Sequence, residues 1–345
     1  NDYIENDYIE INTENYNFFN KDYFLSNGKL NFVKKNIQFT TNEVVSNFNT
    51  GITNNSELEI SFLHGDLFIE DDSKNINIDE FDAMPTLKSF DGVKFTLNQL
   101  NDFNFLIRNF YIVDETTVAT EKLFDAKVLL SKNMKMKQDN SKPQILIYHT
   151  HSQETYIDSK KGKQNDTVVG VGKYLKKILE EEYGYNVIHD TSSYDMTNGY
   201  LDRNKAYNYA EAGVSKILKE NPSVEVVIDI HRDAKKKRSI NIDGKECAQI
   251  MLFNGLSRDK KGPITYLDNP NLADNLAFSL QLQIKSLEKY PGLFFKNYLK
   301  YLRFNLHLRP KALLIELGTE NNTLQSAKNS MVYLAEILDD VFKDK

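Results

Sequence analysis

The stretch QILIYHTHSQET, residues 144–155, contains the pattern that decides the fold of the second half of the chain. Its apolar run, residues 145–147, is rich in strand-forming residues and too short for a helix, so it predicts a buried β-strand. His149 and His151 follow this run, and Glu154 comes three residues after the second histidine. A strand that ends in His-x-x-Glu can direct an imidazole and a carboxylate toward one point. Such a pair supplies two of the three protein ligands of a catalytic zinc site, whose fourth position stays open for water.

Two later strands end in residues of the same chemistry. VEVVIDI, residues 224–230, is followed by His231, and ALLI, residues 312–315, is followed by Glu316. Helical patterns lie between these apolar runs, which predicts an α/β fold with a mostly parallel sheet and helices on both faces. Because ligands of such sheets bind beyond the carboxyl ends of the strands, these side chains are expected to meet at one edge.

The residue types predict a zinc hydrolase. His151, Glu154 and His231 are the expected zinc ligands, and Glu316 is the expected general base, which takes a proton from the attacking water and passes it to the leaving amine. Glu320 competes with Glu316 for that role, but Glu316 directly follows the strand and would be held more rigidly.

The histidines leave a second alternative open. His149 lies two residues before His151, so on an extended chain both side chains would point the same way and His149 could be the ligand. If it is not, we expect it behind the ligands or in contact with the substrate. His189 and His307 stand near the ends of predicted elements and are expected at the surface.

The composition favours a globular protein of two domains. The chain has 345 residues, of which 40% are hydrophobic, and its one cysteine excludes an internal disulfide and a cysteine-rich zinc site. No apolar run approaches the roughly 18 residues that span a bilayer. The chain starts at Asn1 and not at Met, so we expect a fragment or a processed form that has lost any signal or membrane anchor.

Charge divides the chain unevenly. Residues 1–140 carry a net charge of −10 and residues 141–345 a net charge of +4, and the polar stretch 135–143 lies at the change. We therefore predict a small mixed α/β domain over residues 1–135, non-catalytic and close to the membrane, and a catalytic domain over residues 141–345. Neither half is basic enough to indicate binding of nucleic acid.

Several motifs resemble the stage II sporulation protein P family. The resemblance covers about residues 110–345, and the motifs that carry it occur in the family's order: FYIVDETT (110–117), YHTHSQET (148–155), NVIHDTSSYD (186–195), LDRNKAYNYAE (201–211), VIDIHRDA (227–234), YPGLF (290–294) and ALLIELGTENNT (312–323). The resemblance implies a zinc N-acetylmuramoyl-L-alanine amidase that also cuts peptide cross-links, and that acts on peptidoglycan during engulfment of the forespore. It also implies a membrane anchor, a location between the mother-cell and forespore membranes, and two partners, the lytic transglycosylase stage II sporulation protein D and a transmembrane scaffold.

The chain departs from the wider zinc amidases at one position. Those enzymes are similar at DIHRDA, which carries a ligand histidine, and at LLIELG, which carries the catalytic glutamate. Their glutamate ligand usually precedes the first helix, where this chain has Gln164. The His-Ser-Gln-Glu unit resembles the zinc-binding unit of metallocarboxypeptidases, which favours Glu154 as the replacement. A peptidase acting mainly on cell-wall peptides, or a non-catalytic scaffold with a hydrolase fold, are the alternative functions.

Overall fold

The computed structural model describes residues 97–344 in full and, within residues 1–96, four short strands. Those strands form two antiparallel hairpins: β1 (Tyr23–Ser26) with β2 (Lys29–Phe32), and β3 (Glu59–Leu63) with β4 (Asp66–Glu70). The helices of the described residues are α1 (Leu97–Asn101), α2 (Phe103–Phe110), α3 (Ala126–Ser131), α4 (Val168–Glu181), α5 (Ala206–Glu220), α6 (Leu272–Lys289) and α7 (Leu324–Lys343). None of these helices is both long and apolar enough to cross a bilayer.

Seven strands form the central sheet of the second half of the chain. In spatial order they are β5 (Tyr111–Val113), β16 (Asn297–Lys300), β13 (Ile250–Gly255), β17 (Lys311–Thr319), β10 (Val226–Asp233), β6 (Ile145–Tyr148) and β7 (Val187–His189). Every neighbouring pair is parallel except β13 with β17, which is antiparallel. The predicted mostly parallel α/β sheet is therefore confirmed, with one reversal of direction that the sequence pattern did not reveal.

Short two-stranded ribbons in residues 97–344 are separate from this sheet. They are β8 (Met196–Thr197) with β9 (Tyr200–Leu201), β11 (Ser239–Ile242) with β12 (Lys245–Ala248), and β14 (Arg258–Asp259) with β15 (Gly262–Pro263). Single 3-10 turns occur at Gln164–Asp166, Thr265–Leu267 and Leu306–Leu308. The last helix, α7, begins after Thr323, whose side chain accepts a hydrogen bond from the backbone N–H of Ser326.

The main hydrophobic core lies on one face of the sheet. Helices α4 and α6 both pack against α7 on this side, and the apolar residues that alternate along β6, β10 and β17 point into the same core. Ile228 and Ile230 of β10 belong to it. The intervening residues Asp229 and His231 therefore point to the opposite face, where Tyr207 of α5 stacks on the His231 ring. Helices thus cover both faces, and the chemistry lies on the face opposite the main core.

The predicted domain boundary near residues 135–141 is wrong. One compact unit comprises Pro85–Leu201 with Ala206–Lys345, and the other comprises Asn1–Met84 with Asp202–Lys205. Strand β5 pairs with β16 at the edge of the central sheet, and the main core includes Phe110, Phe124 and Leu129. Residues 97–134 are therefore part of the unit that carries the predicted site.

The polar stretch that suggested a linker is fixed to this unit by its backbone. The N–H groups of Lys137 and Gln138 both donate to Oε1 of Glu225, and the N–H of Met136 donates to the Phe342 carbonyl. The polar composition of residues 135–143 indicated exposed side chains. Exposed side chains do not make a segment a linker when its backbone N–H groups are hydrogen-bonded to the folded unit. The non-catalytic role of the N-terminal residues stays a prediction.

Candidate metal centre

Three of the predicted ligands converge. Nδ1 of His151 lies 3.5 Å from Oε1 of Glu154, and Nδ1 of His231 lies 3.6 Å from Oε2 of the same carboxylate. One ligand atom from each of the three residues can be chosen so that all lie within 4.8 Å of one another. Tetrahedral coordination at about 2.0–2.2 Å separates neighbouring ligand atoms by roughly 3.3–3.6 Å, so each histidine nitrogen lies at about this spacing from one of the two Glu154 oxygens.

Each ligand is positioned by its own element. His151 lies in the turn after β6, where the N–H of Glu154 donates to the His151 carbonyl, and His231 is part of β10. The Glu154 carboxylate accepts the backbone N–H of Arg232 at 2.9 Å, which orients it from the strand that carries His231. The Glu154 carbonyl accepts the N–H of Val168, the first residue of α4, so the turn is also tied to this helix. The three ligands are thus held by backbone groups of three neighbouring elements.

The charges of the metal-free cluster are coupled. Burial raises the pKa of Glu154, but the hydrogen bond from His151 and the charge of His231 outweigh this effect and hold the pKa below its usual range. Burial lowers the pKa of His231, whereas Asp229, Glu154 and Glu316 raise it, to about 10. Without a metal, His231 is therefore an imidazolium among carboxylates. A dication that binds here replaces that proton.

Glu316 lies beside the cluster with an unused oxygen. It pairs with His231 in the register of the parallel strands β10 and β17, so both side chains project from the same face. Its Oε2 is buried and has no hydrogen-bond partner among the described residues, although the residue as a whole is partly accessible. Burial, together with Asp233 and Glu154, raises its pKa to about 8 against the opposing effect of His231. This carboxyl is next to the ligands and free to exchange a proton.

Glu320, the alternative base, has a different environment. It follows β17 in a turn, its side chain is 43% exposed, and its Oε2 lies 3.3 Å from Nη1 of Arg232. Arg232 in turn donates from Nε to the Thr155 carbonyl. This position on the rim favours a structural role for Glu320.

His149 does not join the cluster, and the expectation that it points the same way as His151 is wrong. It is fully buried, its Nδ1 lies 3.1 Å from the Ile230 carbonyl, and its Nε2 lies 2.9 Å from Nε2 of His189. The chain turns at residues 150–153 and is not extended there. His149 lies against His189 and Gly172 of α4, whereas His151 packs against Tyr207 of α5. His149 is too deeply buried to contact a substrate.

His189 and His307 also differ from the surface positions predicted for them. His189 is half-buried against His149, and a Cβ added to Gly172 of α4 would lie within 2.6–2.9 Å of both rings. His307 is half-buried, with Nε2 3.1 Å from Oε1 of Glu211. Both form side-chain pairs that no periodic pattern in the sequence identifies.

Gln164 lies away from the ligand cluster. It stands in the 3-10 turn before α4 and donates from Nε2 to the Thr191 carbonyl at 3.1 Å. The residue at the expected position of a glutamate ligand is thus engaged elsewhere, while Glu154 lies between the two histidines.

Two neighbours of the cluster were not identified from the sequence. Tyr207 packs edge-on against His151 and stacks on His231, with ring centroids 5.5 and 6.3 Å apart. Asp229, 1% exposed, has its Oδ2 2.9 Å from Nε2 of His231. Asp229 had a signal, since it is the one charged residue in the apolar run VVIDI two positions before His231, on the same face of the strand. Tyr207 had none, because helical spacing says nothing about which distant strand a helix covers.

Comparison with known proteins identifies the family. The sequence profile described as Stage II sporulation protein P (SpoIIP) matches residues 59–339. This chain belongs to the stage II sporulation protein P family. Stage II sporulation protein P of Bacillus subtilis (strain 168) is 26% identical over 216 residues, which cover 58% of this chain and 51% of the relative. The chain therefore spans about half the length of this curated relative.

Solved structures with similarity to this stage II sporulation protein P family member include several amidases. The N-acetylmuramoyl-L-alanine amidase AmiC2 of Nostoc punctiforme has 12% identity and a TM-score of 0.32, and covers 58% of this chain and 96% of its own. The N-acetylmuramoyl-L-alanine amidase from Clostridium difficile 630 has 15% identity and a TM-score of 0.34, and covers 60% of this chain and 97% of its own.

Proposed function

We propose that this family member is a zinc-dependent peptidoglycan hydrolase, an N-acetylmuramoyl-L-alanine amidase with endopeptidase activity. One observation carries the proposal: the Nδ1 atoms of His151 and His231 lie at tetrahedral ligand spacing from the two oxygens of Glu154, beside a carboxyl, Glu316, whose Oε2 has no partner among the described residues. A buried cluster of this composition has the donor set of a catalytic zinc site. The family name supports a role in sporulation.

The chain's own residues divide the chemistry. His151, Glu154 and His231 would hold the zinc, and the Arg232 N–H keeps the Glu154 carboxylate turned toward the histidines. Zinc, when bound, supplies a Lewis acid that lowers the pKa of a coordinated water to about 7. Glu316 takes the proton of the attacking water and returns it to the leaving nitrogen. Its buried Oε2, which has no hydrogen-bond partner among the described residues, is available for this transfer.

The resemblance supplies the biological setting of the proposal. The substrate is peptidoglycan at the forespore during engulfment, and the full-length protein acts outside the cytoplasm from a membrane anchor. A lytic transglycosylase of the stage II sporulation protein D type and a transmembrane scaffold are the proposed partners. The N-terminal residues are proposed to be non-catalytic and close to the membrane.

Digestion of purified sacculi tests the reaction. An amidase releases free stem peptides and leaves glycan strands with an intact lactyl group, whereas an endopeptidase leaves peptides attached to muramic acid but removes cross-links. Mass spectrometry of the released fragments separates these products. We expect both kinds from the unmodified protein and neither from Glu316→Gln. Cleavage of peptide bonds alone would favour a peptidase, and no cleavage by the zinc-loaded protein would favour a scaffold.

A further inference from the structure

The buried carboxylate of Asp229 touches both histidine-bearing segments of the proposed metal centre. On its own strand, β10, its Oδ2 lies 2.9 Å from Nε2 of His231. Across to β6, its Oδ1 accepts the backbone N–H of Thr150 at 2.9 Å, and its Oδ2 accepts the Thr150 hydroxyl at 2.6 Å. Thr150 directly precedes His151 in the chain. One side chain is therefore linked to both histidine ligands, directly to one and through a neighbouring residue to the other.

These contacts follow from the register of the sheet. Asp229 pairs with Tyr148, the last residue of β6. Its carboxylate therefore lies where the chain leaves β6 and enters the turn that carries His151. It is also two residues before His231, and residues two apart project from the same face of a strand. The Tyr148 hydroxyl interacts with it as well. A fully buried carboxylate is costly unless its oxygens are hydrogen-bonded, and here each oxygen accepts a hydrogen bond from Thr150.

The contact with His231 selects one form of the imidazole. In the neutral ring one nitrogen carries the proton and the other carries the lone pair. The negative charge of a carboxylate 2.9 Å from Nε2 favours the proton on that nitrogen, and therefore the lone pair on Nδ1. Nδ1 is the nitrogen that faces Glu154. The ligand lone pair is thus directed at the point where the other donors converge.

We propose that Asp229 is a positioning residue, which keeps the remaining proton of His231 on Nε2 when zinc displaces the Nδ1 proton and which fixes the segment that carries His151. The inference rests on the zinc site of the proposed function. Partners that orient a metal-binding histidine are typically worth about 10–100-fold in metal affinity. Asp229 and Thr150 form a hydrogen-bonded link between β10 and the turn that follows β6.

Asp195 provides a matched control. It is also fully buried and binds the same turn, accepting the Ser152 hydroxyl at 2.7 Å and the Gln153 N–H at 3.0 Å. These contacts are with the two residues that follow His151, and they involve no imidazole. If buried carboxylates matter here only by fixing the turn, replacement of either should have the same effect.

The test measures zinc affinity of the whole chain by competition with a chelator. Asp229→Asn keeps an acceptor for the Thr150 N–H but loses the carboxylate facing His231, and we expect it to bind zinc about 10–100-fold more weakly. Asp195→Asn should change the affinity about threefold or less, well below that range. Equal losses in both variants, or an unchanged affinity in Asp229→Asn, would overturn the proposal. An unmodified protein without zinc affinity would instead refute the metal site itself.

A second measurement needs no variant. Long-range proton–nitrogen NMR spectra of the zinc-loaded, unmodified protein report which nitrogen of each histidine carries the proton. We expect His231 to be protonated at Nε2. A proton on Nδ1 would overturn the inference, because Asp229 could then not be the group that orients the ligand lone pair.

Discussion

His231 and Glu316 occupy directly paired positions on the parallel strands β10 and β17. Side chains at paired positions of neighbouring strands project from the same face, so a proposed metal ligand and a proposed base stand side by side without any loop to place them. Proximity also couples the protonation of the two side chains. The Glu316 carboxyl contributes to the raised pKa of His231, and His231 opposes the effect of burial on Glu316.

Replacement of Glu316 should separate metal binding from turnover. Glu316→Gln keeps the size and reach of the side chain but removes the proton acceptor, so zinc content should stay near that of the unmodified protein. Loss of general acid–base help should slow muropeptide cleavage by about 10²–10⁴-fold, or roughly 3–5 kcal/mol of barrier. Zinc content by elemental analysis and cleavage rate by chromatography check both parts.

Glu320→Gln is the matched control for this experiment. Glu320 is exposed at the rim and lies against Arg232, so its replacement should cost little activity. An inactive Glu320→Gln that retains zinc would mean that the base has been assigned to the wrong residue. Loss of zinc from Glu316→Gln would mean that Glu316 is a ligand.

The unmodified protein should bind one zinc per chain, and His231→Ala should abolish this binding. Only His151 and Glu154 would remain, and two protein ligands are fewer than the three of catalytic zinc sites. His307→Ala serves as the control, because His307 pairs with Glu211 away from the cluster. Metal analysis after dialysis checks the stoichiometry, and circular dichroism shows whether each variant is folded. Stoichiometric zinc in folded His231→Ala would contradict the assignment.

The His149–His189 pair should make the metal-free protein sensitive to acid. Burial lowers the pKa of His149 to about 4 and that of His189 to about 3, whereas both should be near 6.5 in the unfolded chain. Groups with depressed pKa values contribute stability that is complete above pH 6.5 and is lost as the pH falls toward 4, since the unfolded state then binds more protons.

Denaturant unfolding of metal-free protein at several pH values checks this contribution. His189→Gln keeps a donor that can reach Nε2 of His149 but no longer titrates. Between pH 4 and 6.5, the free energy of unfolding of this variant should rise less steeply with pH than that of the unmodified protein, by up to one proton's worth. Identical slopes would show that His189 does not titrate differently in the folded state.

Removal of residues 1–140 should prevent stable folding of the remainder. This truncation deletes β5 from the edge of the sheet and takes Phe110, Phe124 and Leu129 out of the core, each worth about 2–5 kcal/mol if truncated alone. A protein that begins at Pro85 keeps all of these residues and should unfold cooperatively. Thermal unfolding of both shortened proteins tests the corrected boundary, and a cooperatively folded 141–345 fragment would contradict it.

The sequence by itself determined three central strands of the sheet and the His and Glu residues that follow them. Apolar runs of three to seven residues followed by His or Glu are local patterns, and local patterns can be recognised in a single sequence. Strand β6 was predicted over residues 145–147 and extends over Ile145–Tyr148. His151, Glu154 and His231 were expected together from their positions after strands, and the structure brings them together.

Only the tertiary structure decided the direction of each side chain and the partners of the site. His149 and His151 have different neighbours because the chain turns between them. Residues 97–134 belong to the second unit because β5 pairs with β16, and these two strands are more than 180 residues apart in the sequence. The same holds for Tyr207, which reaches the histidines from a helix, and for Asp229, whose link to Thr150 crosses between strands. Contacts between distant residues depend on how the whole chain packs, and periodicity within a short window carries no information about them.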